Sequence, residues 1–344
     1  MPAINNGRNH FDVLTYTGTG AAQTISGLNF QPDFVWIKNR SGTQNNYLQD
    51  SVRGATNYLV SNNTGAENQY SGYGSSAITG FNSSGFALSS DAIGMANTNA
   101  ATYVAWCWKA GGTAVTNTSG TITSQVSANP TAGFSVVTYT GTGANATVGH
   151  GLGVAPSFII GKRRNSTGNW QVYASAISNM QTGYIVLNLT DAFRTTSSAV
   201  WGNTQPTSSV FTIGTDTDLN TNGSTNVAYC FAAIAGYSAF GSYTGNGSAD
   251  GPFVYCGFRP RFVLVKGTAV SSWYLWDSSR ASYNVINETL YPNLSNAEGG
   301  SGGIIDFLSN GFKIRTTGTD LNANVNTMIY AAFAENPFQN SLAR

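Results

Sequence analysis

Short apolar runs alternate with polar turns along the whole chain, and the runs have the two-residue period of β-strands. In "FVWIK", Phe34 and Trp36 fall on one face of such a strand, and Val35 and Ile37 fall on the other. Because both faces are apolar, the strand lies in the middle of a two-layer core or is covered by a neighbouring domain. Similar runs are separated by Gly, Asn and Pro turns at intervals of about 8 to 12 residues. The pattern predicts an all-β protein.

The same motifs occur three times in the same order. "YTGTG" at residues 16–20 recurs at 139–143 and, as "YTGNG", at 243–247. The strand "PDFVWIK" has the counterparts "PSFIIGK" and "PRFVLVK", which align three prolines and three lysines: Pro32, Pro156 and Pro260, and Lys38, Lys162 and Lys266. The proline spacings, 124 and 104 residues, match those of the Tyr-Thr-Gly turns, 123 and 104, to within one residue. This register indicates internal repeats.

The repeats divide the chain into three units of about 100 residues, each long enough for one antiparallel β-sandwich. We therefore predict three such sandwiches in tandem. The expected segments are an N-terminal arm (1–11), unit 1 (12–110), a polar linker (111–133), unit 2 (134–235), unit 3 (236–338) and a C-terminal tail (339–344).

Charge is sparse for a chain of this length. Charged residues make up 9% of the 344 residues and the formal net charge is +1, whereas ordinary soluble proteins have roughly 25% charged residues. Such a surface provides no field to attract nucleic acid or acidic membranes. It also does little to keep copies apart, so we expect a homo-oligomer. The chain lacks a signal peptide and an apolar run long enough to span a membrane, so we expect synthesis in a cytoplasm and no membrane insertion.

Groups that carry acid–base or nucleophilic catalysis are few. The two histidines, His10 and His150, have no G-x-S-x-G motif beside them. The three cysteines show neither CxxC spacing nor a disulfide framework. Paired carboxylates for glycoside cleavage depend on a separation in space, so the sequence leaves them open. We expect no enzymatic activity and no cofactor.

One loop has oxygen ligands at alternate positions, as calcium-binding loops do. It contains Asp216, Asp218 and Asn220, but it lacks the Gly at position six and the Glu at position twelve of such a loop. Unit 3 keeps one aspartate, Asp320, in the corresponding stretch. We interpret this loop as a polar connection between strands and expect no metal site.

Aromatic residues near predicted loops are the best candidates for contact with a ligand. Trp170 and Trp273 occupy one position in units 2 and 3, where they either stack on sugar rings or fill the core, and recurrence of the position favours the core. Trp36 is particular to unit 1, because units 2 and 3 carry Ile160 and Leu264 there. It is the candidate for a contact that belongs to unit 1 alone.

Some charged residues recur as well. Asp50 and Arg53 of unit 1 have the same three-residue spacing as Asp277 and Arg280 of unit 3, which predicts a local ion pair in each. Unit 2 carries neither residue of the pair. The aligned lysine, Lys38 in unit 1, is interpreted as a charge at a strand end rather than as a catalyst.

Taken together, the aligned motifs resemble a known family. "GLNFQPDFVWIKNRSG", "YVAWCWKAGGTAV" and "FGSYTGNGSADGPFVYCGFRP" are similar to a repeated domain of unknown function from structural proteins of tailed phages, especially phages of marine bacteria. The similarity covers residues 11–338, and it implies a virion protein of the tail or tail fibre with no catalytic residues to carry over. A looser similarity to H-type lectins and phage fibre tips implies jelly-roll or lectin-like sandwiches.

The expected function is therefore that of a non-enzymatic phage structural protein, located on the virion and associated with the tail or its fibres. Its expected partners are other virion proteins and, through exposed loops, a host-surface glycan. A capsid decoration or cement protein is the first alternative, because the first unit starts by residue 12 without a preceding particle-anchoring domain. A glycan-binding or glycan-cleaving protein is the second.

Overall fold

The computed structural model of the protein describes residues 4–69, 77–90, 94–195 and 197–336. Antiparallel strands dominate this part of the chain, and its three α-helices have four residues each. The prediction of an all-β fold is thus confirmed. No helix within the described ranges has the length and apolar character needed to cross a membrane. The C-terminal tail predicted at 339–344 lies outside these ranges.

Unit 1 consists of two antiparallel sheets. Its strands are β1 (Phe11–Thr17), β2 (Gln23–Ser26), β3 (Phe34–Asn39), β4 (Asn46–Asp50), β5 (Tyr58–Val60), β6 (Ile78–Asn82), β7 (Gly85–Leu88) and β8 (Thr102–Trp108). The main sheet has the order β1-β8-β3-β4-β5, and the outer sheet has the order β2-β7-β6. Val35 and Ile37 of β3 share a core with Ile25 and Phe86 of the outer sheet. One apolar face of "FVWIK" is therefore covered within unit 1.

Unit 2 repeats this arrangement with a wider main sheet. Its strands are β9 (Val115–Asn117), β10 (Ser124–Asn129), β11 (Phe134–Thr140), β12 (Ala146–Gly149), β13 (Phe158–Arg163), β14 (Gln171–Ala174), β15 (Ile185–Val186), β16 (Val210–Ile213) and β17 (Thr225–Phe231), and its helices are α1 (Ser198–Trp201) and α2 (Thr217–Asn220). The main sheet has the order β15-β14-β13-β17-β11-β10-β9, and β12 pairs with β16 in the outer sheet.

The segment expected to be a linker, residues 111–133, supplies two of these strands. β10 pairs with β11 over six positions, and β9 pairs with β10. Few side chains of this polar segment are buried, and Val126 is one of the few. Backbone pairing to an existing sheet, rather than an apolar stripe, makes this segment a strand.

Unit 3 follows unit 2 almost directly. Its elements are β18 (Ser238–Thr244), β19 (Phe253–Tyr255), β20 (Pro260–Gly267), β21 (Trp273–Asp277), β22 (Ile286–Thr289), β23 (Gly299–Leu308), β24 (Gly311–Ile314), α3 (Thr319–Asn322) and β25 (Thr327–Ala334). The main sheet has the order β18-β25-β20-β21, and the outer sheet has the order β19-β24-β23-β22. Each main sheet contains the same four strands in the same order. They are the opening strand (β1, β11, β18), the closing strand (β8, β17, β25), the strand that starts at or after the aligned proline (β3, β13, β20) and the strand that follows it (β4, β14, β21).

The "YTGxG" motif ends β1, β11 and β18 in a turn that requires both of its glycines. A Cβ on the first glycine would lie 2.2 to 2.4 Å from a backbone oxygen of the loop before the closing strand (Gly18, Gly141, Gly245). The second glycine has a φ of 69° to 74°, in the left-handed region (Gly20, Gly143, Gly247). Close approach and backbone conformation together explain why the motif recurs.

The three main sheets turn their second apolar faces towards a common centre. Three aligned residues of the closing strands, Trp108, Phe231 and Phe333, meet there with ring centroids 6.1, 5.8 and 6.0 Å apart in the three pairs. All three pairs are edge-to-face, with interplanar angles of 67°, 73° and 66°. A nearly equilateral triangle of equivalent side chains defines a pseudo-threefold axis, so the units close a ring around one shared core.

Candidate functional site

Trp36, the candidate contact of unit 1, lies in the shared core. It is 2% exposed, and its ring packs edge-to-face on Trp106 with centroids 6.1 Å apart. It borders a central cavity of about 20 Å³ together with Ile160 and Leu264, the aligned residues of the other units. The contact that Trp36 makes is thus with units 2 and 3, because the second face of β3 is covered by them and not by solvent.

The other two candidates, Trp170 and Trp273, are also fully buried. The indole nitrogen of Trp170 donates to the carbonyl of Val60 in unit 1 at 2.8 Å. The indole of Trp273 donates to the carbonyl of Val186 in unit 2 at 3.0 Å. Val60 and Val186 are the last residues of equivalent strands, β5 and β15. Each tryptophan therefore joins its unit to the preceding one, and neither presents a ring for sugar stacking.

Backbone hydrogen bonds repeat the same connection at all three contacts between units. Units 1 and 3 exchange two of them, from Gln44 N to Ser295 O (2.9 Å) and from Glu298 N to Arg40 O (2.8 Å). Units 2 and 1 exchange two in the same way, from Gly168 N to Thr64 O (2.9 Å) and from Glu67 N to Arg164 O (2.7 Å). Units 3 and 2 do so from Ser271 N to Thr190 O (2.9 Å) and from Phe193 N to Thr268 O (2.8 Å). The ring is thus closed by three equivalent contacts.

The aligned lysines are buried at these contacts and not exposed at strand ends. Lys38 donates to the carbonyl oxygens of Gln44 and, at 2.8 Å, of Ser295 in unit 3. Lys162 donates to the carbonyl of Thr64 in unit 1 at 3.1 Å. Burial lowers the pKa of Lys38 to about 7, and it lowers the pKa of the other two lysines to about 8. Lys38 and Lys162 each donate to carbonyl oxygens of two units and so link those units, whereas Lys266 donates only within unit 3, to Gly267 O, Ala269 O and Ser271 Oγ.

The contact between units 1 and 2 contains a network of charges, of which Asp50 and Arg53 are fully buried. Arg53 pairs with Asp50, as the sequence predicts, and with Glu67 at 2.8 Å. Glu67 also pairs with Arg164 of unit 2 at 2.8 Å, and the hydroxyl of Tyr229 in unit 2 donates to Asp50. Burial by itself would lower the pKa of Arg53, but the carboxylates of Asp50 and Glu67 raise it. Burial would raise the pKa of Glu67, but the two arginines lower it.

Units 3 and 1 meet through an equivalent network. Arg280 pairs with Asp277, again as predicted, and with Glu298, both at 2.6 Å. Glu298 pairs with Arg40 of unit 1 at 2.7 Å. The indole nitrogen of Trp106, at the position of Tyr229, donates to Asp277 at 2.9 Å. Two of the three contacts are therefore ionic in the same way.

The contact between units 2 and 3 has uncharged residues at the aligned positions: Ala174, Ile177, Phe193, Thr268 and Ala331. Ala174 and Ala331 are buried, and Phe193 packs against the shared core. The absence of the Asp-Arg pair from unit 2 thus removes a whole network, because all the aligned positions change together. An apolar contact takes its place.

In the loop that resembles a calcium-binding loop, the side chains of Asp216 and Asp218 make hydrogen bonds within the protein. Asp216 caps α2 by accepting from the backbone of Asp218 at 2.9 Å, and Asp218 accepts from Gln171 at 2.9 Å. Asn220 is fully buried, so its oxygen points into the protein. Within the described residues, no three His, Cys, Asp or Glu side chains lie close enough together to hold a metal ion.

A polar cleft of about 410 Å³ lies where unit 1 meets the strands of segment 111–133. Burial lowers the pKa of His10, and Lys109 lowers it further. Burial raises the pKa of Asp33, although Ser51 and two backbone N–H groups donate to it. His10 Nδ1 lies 3.1 Å from the amide nitrogen of Asn129. Asp33 and His10 thus both take part in hydrogen bonds at this cleft.

The extent of this three-unit body agrees with the comparison to known proteins. A domain of unknown function, DUF7483, matches residues 6–337, a stretch that extends across the three units. The chain belongs to the DUF7483 family. No curated protein matches the sequence.

Sequence reasoning named Asn220 of the DUF7483 chain only as a possible metal ligand and missed that this asparagine recurs in every unit. Asn220 Oδ1 accepts from Thr142 N at 2.7 Å, and its amide donates to Ala144 O and Gly214 O at 2.6 Å each. Asn97 and Asn322 make the same three contacts in units 1 and 3. Each of these asparagines precedes an aligned closing-strand residue by seven positions. That constant spacing was the available signal, and it marks the partner of the "YTGxG" turn.

Proposed function

We propose that this DUF7483 protein is a non-enzymatic structural component of a tailed-phage particle, associated with the tail or its fibres. The observation that carries the proposal is that the recurring polar and aromatic residues make contacts between units. Hydrogen bonds join one unit to another at Lys38 and Lys162, at the two Asp-Arg pairs, and at Trp170 and Trp273. These contacts suit a rigid assembly part, and the resemblance of the sequence motifs to phage structural proteins supports the location.

Mass spectrometry of purified particles tests the location. We expect the protein in particles that have passed through a density gradient, at a constant ratio to the tail proteins. Its presence in the infected-cell lysate but not in the particles would contradict the proposal.

A capsid decoration role is the second candidate, and the pseudo-threefold ring favours it. A body with three similar faces around one axis fits a site of threefold symmetry on a shell with one copy of the chain. Copy number separates the two roles, since a decoration protein is present in tens to hundreds of copies and a fibre protein in a few dozen or fewer. Electron microscopy of intact particles would locate the ring on the shell or on the tail.

The polar cleft supports an adhesion role beside the structural one. Gln31, Lys109 and Thr131 are exposed at its border, and amide, ammonium and hydroxyl groups are donors suited to sugar hydroxyls. On a glycan array, we expect binding that the double substitution Gln31→Ala/Lys109→Ala removes. Gln125→Ala, an exposed residue of β10 outside the cleft, is the matched control. Binding that survives the double substitution, or that the control substitution also removes, would contradict this assignment.

A polysaccharide-degradation assay tests the non-enzymatic part of the proposal. We expect no shortening of host-surface polysaccharide by the purified protein. Turnover that a single carboxylate substitution abolishes would replace the structural proposal with the glycan-cleaving alternative.

A further inference from the structure

The outer sheet of unit 3 ends in an open edge that exposes two aromatic side chains. Phe253 and Tyr255 of β19 are 45% and 62% exposed. The aligned positions carry Thr24 and Ser26 in β2 of unit 1, and small residues again in β12 of unit 2. Strand pairing within the described ranges leaves one edge of β19 free. This pair of aromatics is thus a departure of unit 3 from the repeat.

The backbone of β19 directs alternate residues to this open edge. Pro252 O accepts from Ile314 N, and Cys256 N donates to Asn310 O, so the even-numbered residues face β24. By the alternation of an antiparallel pair, the N–H and C=O groups of Phe253 and Tyr255 face outwards. The same two residues therefore supply unpaired backbone groups and exposed aromatic rings.

Unit 2 shows what such an edge accepts. There the equivalent edge of β12 is covered by residues 120–122 of the same chain. Ile122 N donates to Thr147 O at 3.0 Å, and Thr147 N donates to the hydroxyl of Thr121 at 2.8 Å. Thr147 is aligned with Phe253. A short added segment, in an isolated parallel bridge between Ile122 and Val148, thus already satisfies part of this edge once in the molecule.

We propose that β19 is a self-association surface, on which the β19 strand of a second copy of this chain adds antiparallel and extends the outer sheet across a twofold axis. With Val254 opposite Val254 of the second copy, Phe253 of each copy faces Tyr255 of the other. Both residues direct their backbone groups to the edge, so each pair makes two hydrogen bonds, and the sheet gains two aromatic cross-strand pairs.

The flanking residues allow this approach. Gly251 and Gly257 stand on either side of the strand and carry no side chain that could block the partner. Lys313, whose position pairs with Phe253, is bound by Asp250 at 2.7 Å, so it does not meet the partner as a free charge. With a net charge of +1, two copies also have little long-range repulsion. An unprotected aromatic edge of this kind pairs readily.

Sedimentation velocity over a concentration series tests the proposal. Because the strand is short, we expect a monomer–dimer equilibrium in the micromolar range. The double substitution Phe253→Thr/Tyr255→Ser gives β19 the residue types of β2, and it should weaken the dimer about tenfold or more. The control is Thr24→Ser in β2, which should leave the dimer unchanged. A wild-type chain that stays monomeric, or a variant that dimerises as well as the wild type, would overturn the proposal.

Cysteine cross-linking tests the register. In a Cys256→Ser background, the remaining cysteines, Cys107 and Cys230, are buried. Phe253→Cys protein mixed with Tyr255→Cys protein should form a disulfide-linked dimer, because the two residues are opposite each other. Each variant alone should not, because like positions are roughly 7 to 8 Å apart in this register. Cross-linking of one variant alone would contradict the antiparallel twofold. Both tests measure dimerisation and not location on a phage particle. The self-association proposal and the proposed function can therefore fail independently of each other.

Discussion

At the scale of single residues, the recurring side chains bind the units to each other. Lys38 is the clearest case, because its side-chain nitrogen donates to carbonyl oxygens of units 1 and 3. Its sequence position at the end of a strand indicates an exposed charge, but its acceptor Ser295 lies 257 residues away along the chain. The sequence therefore identifies the residue and not its partner.

Replacing Trp36 with alanine should lower the free energy of unfolding by about 3 to 5 kcal/mol, because a large side chain is removed from a core that is already close-packed. Denaturant unfolding measures the change. Tyr283→Ala is the control, since this ring is 87% exposed and its loss should change stability by less than about 0.5 kcal/mol. A change near zero for Trp36→Ala would mean that the shared core does not depend on this ring.

The buried lysines should make the protein more stable as the pH rises above 7. The pKa of Lys38 is about 7 in the folded chain and 10.5 when exposed, so between these values the unfolded chain binds the additional proton. The free energy of unfolding therefore increases with pH across this window, and the cost of the buried charge is fully present below it. Urea unfolding at several pH values from 7 to about 9.5 should show a smaller slope for Lys38→Met. Equal slopes would contradict the assigned burial.

At the scale of elements, the sequence predicts the strands and their repetition more completely than it predicts their neighbours. Both faces of "FVWIK" are apolar, which indicates a covered strand, and the structure covers Val35 from unit 1 and Trp36 from the other units. The strands of segment 111–133 lack a comparable apolar pattern in the sequence. They form by backbone pairing to the edge of an existing sheet, which does not require two apolar faces. Trp170, immediately before β14, and Trp273, the first residue of β21, donate across contacts between units that no local sequence pattern specifies.

The contact between units 2 and 3 carries uncharged residues where the other two contacts carry charges. This difference allows the charged and the uncharged side chains to be compared directly by substitution. Arg53→Ile alone should destabilise the protein by about 3 to 5 kcal/mol, because it leaves the carboxylate of Asp50 buried without its arginine, while Glu67 keeps only Arg164. The double substitution Asp50→Ala/Arg53→Ile copies unit 2 at these positions and should cost less than the single one. Thermal unfolding in a mutant cycle measures both. A double variant that is worse than the single one would contradict the network.

At the scale of the whole molecule, three sequence repeats form one body. Their closing strands contribute Trp108, Phe231 and Phe333 to a single aromatic triangle, and each main sheet covers the others. The tandem order of the units is visible in the sequence, but the ring is not. Closure depends on contacts between the first and third units, and residues such as Arg40 and Glu298 are too distant along the chain for any spacing to predict their pairing.

Small-angle X-ray scattering in solution tests the closed ring most directly. A compact body of 344 residues should have a radius of gyration of about 20 Å. Three separate sandwiches of this size, strung in a row like tandem domains, would have a radius of gyration of about 30 Å. We predict the smaller value for the monomer, measured at low concentration. The larger value would contradict the shared core and the pseudo-threefold arrangement of the units.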